Sequence, residues 1–289
     1  MAREPLGELL DEAVAIMRRK GHPAPRGEVE EIAAHVLGRK VGELVADFEP
    51  HDRVAAKFRR LVGRRADGAP MGHLTGLAEL GGVEVAVGPG VFVPRPHSEL
   101  VLASGLAAVA DVSAPLVADL CTGSGAIALA LAHRRPDATV HAVDFDPLAL
   151  DFARRNRERR VKLGDTLIVL HEADVTRPGL LEELTGRVDL VVANPPFMPD
   201  GAEVPPEFGT HQPRQAIFGG PDGLRVIRHV VAAAERLLRP GGGFVVEHGH
   251  VHGESVPELL RAGGLFTEVS THADHDGWPL YSLARRARE

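Results

Sequence analysis

The chain reads as an α/β protein, a doubly wound parallel sheet preceded by a small N-terminal helical domain, and three features carry that reading. From Leu116 onward, short apolar strands alternate with helical patterns, the rhythm that builds a parallel sheet. A glycine-rich turn, Asp119-Leu-Cys-Thr-Gly-Ser-Gly125, joins the first of these strands to the first helix. The run Val188-Asp-Leu-Val-Val-Ala193 then stops at Asn194-Pro195-Pro196-Phe197, as a buried strand does when it meets a proline pair.

The elements follow in order. Leu6, Leu9, Leu10, Ala13, Ile16 and Met17 recur at helical spacing up to Gly21, and Val29, Ile32, Ala33, Val36 and Leu37 repeat the pattern up to Gly38. A short amphipathic stretch around Val41, Leu44 and Val45 and a longer one through Val54, Phe58, Leu61 and Val62 complete a bundle assigned to residues 1–70. A bundle of that size is an accessory domain, either a docking element for a substrate or a lid. Between Gly72 and Arg95 the pattern alternates, with Val83, Val85 and Val87 on one face and Gly81-Gly82 as a two-residue hairpin turn, so residues 71–95 are expected to form a β-hairpin linker. Residues 96–289 are the main domain. Its strands are expected at 116–120, 139–143, 167–170, 188–193 and 243–247, with helices from Ala126, Pro147 and Gly179 and over 224–238 and 254–262. Two last strand-like runs, 266–270 and 280–284, read as a C-terminal antiparallel hairpin.

Composition bounds the function. With 289 residues, 44% of them hydrophobic, the chain has room for one large and one small globular domain. No apolar run is long enough to cross a bilayer and no signal-peptide pattern opens the chain, so a cytoplasmic location without membrane attachment is expected. Cys121, the single cysteine, can form neither an internal disulfide nor a Cys-rich metal site. Residues 1–95 carry equal numbers of basic and acidic side chains, so the net charge of −7 falls in the remainder. An acidic main domain weighs against a nucleic-acid duplex as partner, because duplex affinity comes from neutralising phosphates.

The residues at the strand ends suggest the chemistry. An Asn side chain both accepts and donates, and together with the Pro195 carbonyl it can hold the hydrogens of a planar NH2 group while the Phe197 ring stacks on its plane. The proline pair stiffens this backbone. The competing reading is a capping Asn followed by two turn residues. The glycine loop is also open to two readings. As Gly123-x-Gly125-x-x-Ala128 with Asp144 some twenty residues on, it fits a dinucleotide fingerprint and hence a nicotinamide-dependent oxidoreductase. As Asp119-x-Cys121-x-Gly123-x-Gly125 it fits an S-adenosylmethionine loop, where a carboxylate suits a cation better than a phosphate. In either case Asp144 would accept from ribose hydroxyls, and Asp174, after the third strand, would reach the adenine. Hydride transfer has no use for an amine cradle at the fourth strand, whereas methyl transfer to nitrogen does.

Taken in order, these motifs make the chain resemble a class I methyltransferase and, more narrowly, the HemK-type protein-glutamine N5-methyltransferases that modify peptide-chain release factors. The resemblance runs through the helical N-terminal segment, the hairpin, Phe92-Val-Pro-Arg-Pro-His-Ser-Glu99, Asp119 to Gly125, Ala142-Val-Asp144, Asn194 to Phe197, Ala216-Ile-Phe-Gly-Gly-Pro-Asp-Gly223, and Pro240-Gly-Gly with Glu247. It implies S-adenosyl-L-methionine as cofactor, with contacts from Asp119, Cys121, Thr122, Gly123, Gly125, Asp144, Asp174 and Asn194. It implies Asn194, Pro195 and Phe197 as the catalytic group, and Phe92, Arg95, His97 and Pro196 beside them at the acceptor. Three segments depart from the family's pattern: Phe197 where N-P-P-Y is usual, His97-Ser98-Glu99 in place of E-T-E, and Glu247-His248-Gly249 in place of E-I-G. The acceptor expected is a glutamine amide of a release factor. A small amide- or guanidine-bearing amino acid or natural product and a nucleobase exocyclic amine remain as alternatives.

Other constellations read as structural. His248, His250 and His252 alternate after a strand, but without a cysteine partner they make a poor metal site, and methyl transfer needs no metal. Cys121 has no basic partner beside it in sequence and is read as a small loop residue. Trp278 and Tyr281 are expected at the edge of the core. No G-x-S-x-G elbow supports a hydrolase.

Overall fold

A computed structural model describes residues 4–23 and 25–288; Ala24 and the extreme ends of the expected 1–70 and 96–289 domains lie outside the described residues. Two compact units emerge, one running through Leu77 and taking in Val204–His211, the other comprising Ala78–Glu203 and the chain from Gln212. The boundary thus falls inside the stretch 71–95 expected as a linker.

The helical unit holds α1 (Leu6–Arg19), α2 (Pro25–Leu37), α3 (Asp52–Ala66) and α4 (Met71–Thr75). Leu9 and Met17 of α1 pack with Val29 and Ile32 of α2 and Phe58 and Val62 of α3, all nearly or fully buried. The stretch around Val41 differs from its expected amphipathic helix. It is one 3-10 turn, Val41–Glu43, with Val41 and Val45 exposed, because three residues offer no continuous apolar stripe. Arg65 is buried and anchors the unit: its guanidinium donates to Glu28 at 2.5 and 3.1 Å and to Glu207 at 3.1 Å.

The hairpin β1 (Leu77–Leu80) and β2 (Val83–Ala86) turns through Gly81 and Gly82, with φ of 59° and 81°, the left-handed pair that a two-residue turn requires. Leu80, Val83, Val85 and Val87 belong to the core of the sheet unit, which explains why the unit begins upstream of residue 95. Next come α5 (Ser98–Ala108), β3 (Leu116–Leu120), α6 (Ala126–Arg134), β4 (Thr139–Asp144), α7 (Pro147–Lys162), β5 (Val169–Glu172) and β6 (Val188–Ala193). The chain continues through α8 (Pro206–Gly209, in the helical unit), α9 (Arg214–Ile217), α10 (Arg225–Leu237), β7 (Leu238–Glu247), α11 (Ser255–Ala262), β8 (Phe266–Ala273) and β9 (Pro279–Arg286). The helix expected from Gly179 is only a 3-10 turn, Glu182–Leu184, since Leu181 stands at φ +47° and breaks the helical backbone.

The seven-stranded sheet runs β5-β4-β3-β6-β7-β9-β8, parallel through β7 and antiparallel at the C-terminal hairpin. The chain moves outward from β3 to β5 and then returns to place β6 on the other side of β3. A crevice opens at such a reversal, outside the carboxyl ends of the strands. Both faces are covered, so β3 and β6 are almost wholly buried, as parallel strands are.

Asn156 on α7 ties the hairpin to the glycine loop. Fully buried, it accepts from Ala86 N at 2.7 Å and donates to Ala86 O at 3.0 Å and Ser124 O at 2.9 Å. Asn156→Ala leaves three backbone groups without partners, so a loss of about 2–4 kcal/mol is expected in urea unfolding. A midpoint equal to the wild type's would show that water replaces the amide at no cost.

Candidate active site

Register brings the functional residues to one edge. Leu120 pairs with Val143 and with Ala193, and Ala193 pairs with Val246, so Cys121, Asp144, Asn194 and Glu247 all leave the sheet at the same level. Neighbouring parallel strands lie about 4.8 Å apart, close enough for one small ligand to touch several of these ends.

The glycine loop is held from below. Cys121, Gly123 and Gly125 all stand at positive φ, at 64°, 58° and 84°. Thr122 N donates to Val143 O at 2.9 Å, and Gly123 N donates to Asp144 Oδ2 at 2.8 Å. A side chain on Gly125 would press on Ala153 of α7 at 3.3 Å, whereas one on Gly123 would meet nothing within 4 Å. Gly125 is therefore needed for packing, and the backbone at Gly123 faces open space.

Asp119 lies beneath the loop. It is fully buried, and its Oδ2 accepts from the Thr122 hydroxyl at 2.6 Å and Ala128 N at 3.1 Å, bracing the loop against α6. Its Oδ1 is buried without a hydrogen-bond partner. Burial pushes this carboxyl up to about 7, against the lowering effect of those two bonds. Asp144 is raised too, by burial first, although it accepts from Asp146 N and Gly123 N. Burial would likewise raise Asp174, but the Thr176 hydroxyl and amide, donating at 2.7 and 2.8 Å, hold it below its ordinary value. Burial and the charges of Asp144, Asp119 and Asp174 push the Cys121 thiol well up, so it is no nucleophile.

These residues fit S-adenosylmethionine better than a dinucleotide. The loop is ringed by carboxylates, with an orphaned carboxyl oxygen and a side-chain-free opening at Gly123. A cation and a ribose diol suit that donor set; a pyrophosphate would be repelled.

Asn194 to Phe197, expected to hold the acceptor, follow β6 directly. Pro195 and Pro196 are buried and Asn194 is half-buried. Met198 N donates to Ile217 O at 2.9 Å and Gly219 N to Met198 O at 2.8 Å, so the loop is laced to the segment 217–220. Gly219 and Gly223 permit this approach, since a Cβ would stand 2.5 Å from Pro196 O in the first case and 2.2 Å from Phe197 O in the second. His252 Nε2 hydrogen-bonds Phe197 O at 2.9 Å. The Asn194 side chain and the Pro195 carbonyl make no hydrogen bond among the described residues. The Phe197 ring lies against Gly249, where a Cβ would approach it to 3.1 Å.

The remaining expected residues lie on the stretch leading into α5. Phe92 and Arg95 are half-buried on it, and His97 immediately precedes the helix. His97 Nε2 stands 3.7 Å from Glu247 Oε1, and the Ser98 hydroxyl donates to Glu247 Oε2 at 2.7 Å, so the buried Glu247 is clasped by two side chains from the P-R-P-H-S segment. Sequence spacing gives no sign of that clasp. The three alternating histidines do not share a face: His248 is buried between Gly249 O and Ser282 Oγ, His252 is on Phe197, and His250 is exposed on a 3-10 turn. Among the described residues no group of three or more His, Cys, Asp or Glu is arranged to hold a metal, and no helix is long and apolar enough to cross a membrane. Trp278 differs from its expected place at the core edge: it is 61% exposed, while Tyr281 is buried.

Comparison with known proteins agrees with this geometry. Residues 8–76 match the PrmC N-terminal domain and residues 87–208 the methyltransferase small domain. The chain is 44% identical to a release factor glutamine methyltransferase of Mycolicibacterium smegmatis, over 96% of each chain. It is 42% identical to one of Mycobacterium tuberculosis, over 97% of this chain and 91% of the other. A 16S rRNA methyltransferase of T. thermophilus, solved in complex with AdoMet and guanosine, shares the fold with a TM-score of 0.52 and 24% identity, covering 73% of this chain and 49% of that one.

The raised Asp119 carboxyl has a consequence for stability. Below about pH 4 the carboxyl is protonated in both folded and unfolded chains. As pH rises, the unfolded chain releases its proton first, so the stability that Asp119 contributes falls and is lost once pH passes its folded value of about 7. Asp119→Asn should therefore show a smaller drop in urea midpoint between pH 5 and pH 8 than the wild type. Parallel profiles would mean that the folded carboxyl is charged throughout.

Proposed function

The chain belongs to the release factor glutamine methyltransferase family, and from that premise we propose that it methylates the side-chain amide nitrogen of a glutamine in a peptide-chain release factor, using S-adenosyl-L-methionine. The observation that carries the reading is the set of acceptors at the end of β6 that make no hydrogen bond among the described residues, the Asn194 side chain and the Pro195 and Pro196 carbonyls, on a backbone fixed by two prolines. Two acceptors from that set, the Asn194 side-chain oxygen and the Pro195 carbonyl, suit the two hydrogens of a primary amide. The Phe197 ring supplies a flat face for the amide plane.

When bound, the cofactor supplies a methyl group on a sulfonium sulfur. Gly123 and the loop around it would carry its amino-acid end, Asp144 the ribose hydroxyls and Asp174 the adenine edge, with Asp119 beneath the loop. An amide nitrogen is a weak nucleophile because its lone pair is delocalised into the carbonyl. The Asn194 side-chain oxygen and Pro195 carbonyl accept its N–H bonds, and those bonds strengthen as positive charge develops on nitrogen. Fixed placement of the nitrogen supplies much of the remaining rate. Methyl transfer would leave the nitrogen alkylated and strongly acidic, so one amide proton would be lost to water with no strong base required. The helical unit, with its own core, suits a docking role for the protein substrate.

The direct test is mass spectrometry of the organism's own release factor after incubation with the protein and adenosylmethionine, with a gain of one methyl on a single glutamine expected. An unmodified factor, with an enzyme that binds adenosylmethionine, would defeat the reading. Asn194→Ala should lower kcat by roughly 100- to 1000-fold, the scale for losing one fixed polar group at a developing charge. Phe197→Ala should cost about 1–3 kcal/mol in kcat/KM, and Phe197→Tyr should stay within about tenfold of wild type, because the stacking face persists. Equal activity of the wild type and the Phe197→Ala variant would make the ring structural.

A further inference from the structure

The chain has one tryptophan, Trp278, and the structure sets it in solvent on a rigid turn beside the acceptor loop. In the turn between β8 and β9, Asp274 N donates to Trp278 O at 2.8 Å, and Asp274 Oδ1 accepts from Asp276 N and Trp278 N, both at 2.9 Å. Gly277, at φ +86°, completes the bend. The indole is thus fixed at its backbone while 61% exposed. It meets His250 with ring centroids 5.6 Å apart and planes tilted 60°, and the neighbouring Val251 is 58% exposed.

This patch is continuous with the acceptor site. Gly249, against which the Phe197 ring packs, would place a Cβ 3.9 Å from Val251 Cγ2. The 3-10 turn His250–His252 leads directly to His252, whose ring holds the Phe197 carbonyl. The two turns are also fixed to one another: His248 N donates to Leu280 O at 2.8 Å, Thr271 Oγ1 donates to Gly253 O at 3.1 Å, and Gly253 sits so close to Pro279 that a Cβ would stand at 2.8 Å.

We propose that Trp278, Val251 and His250 form a subsite that binds the extended peptide flanking the acceptor glutamine, with an aliphatic side chain of that peptide against the indole. The proposal rests on the protein-substrate reading above and names the surface that enforces it. Single exposed apolar residues are ordinary, but a fixed aromatic with an exposed valine beside a reaction site is the composition of a binding anchor. Because both turns are already ordered, little conformational entropy is lost when the peptide lies down on them. Val251 and Trp278 lie beyond Gly249, on which the Phe197 ring packs, so a ligand that reaches them extends past the acceptor group, as a polypeptide does and a free amino acid does not.

The lone indole is its own probe. A tryptophan-free peptide carrying the acceptor glutamine with its natural flanks should shift and partly quench the emission of the full-length protein in a saturable way, while free glutamine at the same concentrations should leave it unchanged. Trp278→Ala should raise KM for the whole release factor roughly 10- to 100-fold, with kcat within about twofold and adenosylmethionine affinity unchanged. Trp278→Phe should recover part of the loss, and Val251→Asp should reproduce it without touching the indole. Unaltered KM in both the Trp278→Ala and Val251→Asp proteins, or unmoved emission while the peptide is methylated, would overturn the subsite and leave the activity assignment standing. A wild-type protein that leaves the release factor unmodified would remove the assignment and the subsite with it.

Discussion

The parallel pairing of Leu120 with Val143 on one side and Ala193 on the other is the constraint on which the rest depends. It aligns the ends of three strands, so the glycine loop, Asp144 and Asn194 emerge at one level with no long loop needed to gather them. A slip of one residue in β6 would send its side chains to the opposite faces and turn Asn194 away. The register is secured by burial: Ala118, Leu120, Val191 and Ala193 face one apolar core, and Val117, Leu190 and Val192 face the other. A sheet packed on both faces has no polar side on which to slide.

That arrangement explains what the sequence discloses and what it hides. β3 and β6 are short, mainly apolar runs, each broken by a single aspartate and followed by Gly or Pro, so their ends, and the residues just past them, are legible from composition and punctuation alone. Asn194 and the glycine loop are legible in that way. Glu247 is visible only as a member of a motif, because its clasp by Ser98 and His97 joins residues far apart in sequence. Asp119 reads as a ligand-facing acid, and spacing does not announce that one of its oxygens also braces Thr122 and Ala128. Alternation along a strand says which face a residue takes only where the strand continues, and for that reason it does not resolve His248, His250 and His252: the strand ends at Glu247 and a 3-10 turn scatters them. Trp278 escapes the expectation because large aromatics are usually buried, and a turn closed by Asp274 overrides that tendency. The join of Val204–His211 to the helical unit depends on Arg65 and Glu207, a pairing no local pattern announces.

The two halves of the site are opposite in character. Around the glycine loop the fixed charges are carboxylates, which favour a cation and a diol. At the end of β6 the groups left to act are neutral acceptors. That division suits a reaction in which a positively charged donor meets an uncharged nitrogen, since each partner is drawn to its own side and neither has to displace a buried ion pair. His248, in place of the family's usual isoleucine, keeps to the same rule. Burial pushes it down to about 4, so it stays neutral, and its two ring nitrogens are matched by Gly249 O and the Ser282 hydroxyl.

Rigidity at the acceptor loop comes from close backbone approach more than from the prolines alone. Gly219 and Gly223 let one strand of chain lie against Pro196 and Phe197, Met198 is paired on both sides, and His252 takes the Phe197 carbonyl. With the downstream carbonyls of Phe197 and Met198 thus occupied, the Pro195 and Pro196 carbonyls and the Asn194 side chain are left with unspent hydrogen-bonding capacity. A delocalised amide nitrogen offers little driving force of its own, so its catalyst must hold acceptors in place before charge appears. A loop packed this tightly suits that demand, since its groups are placed before any charge develops.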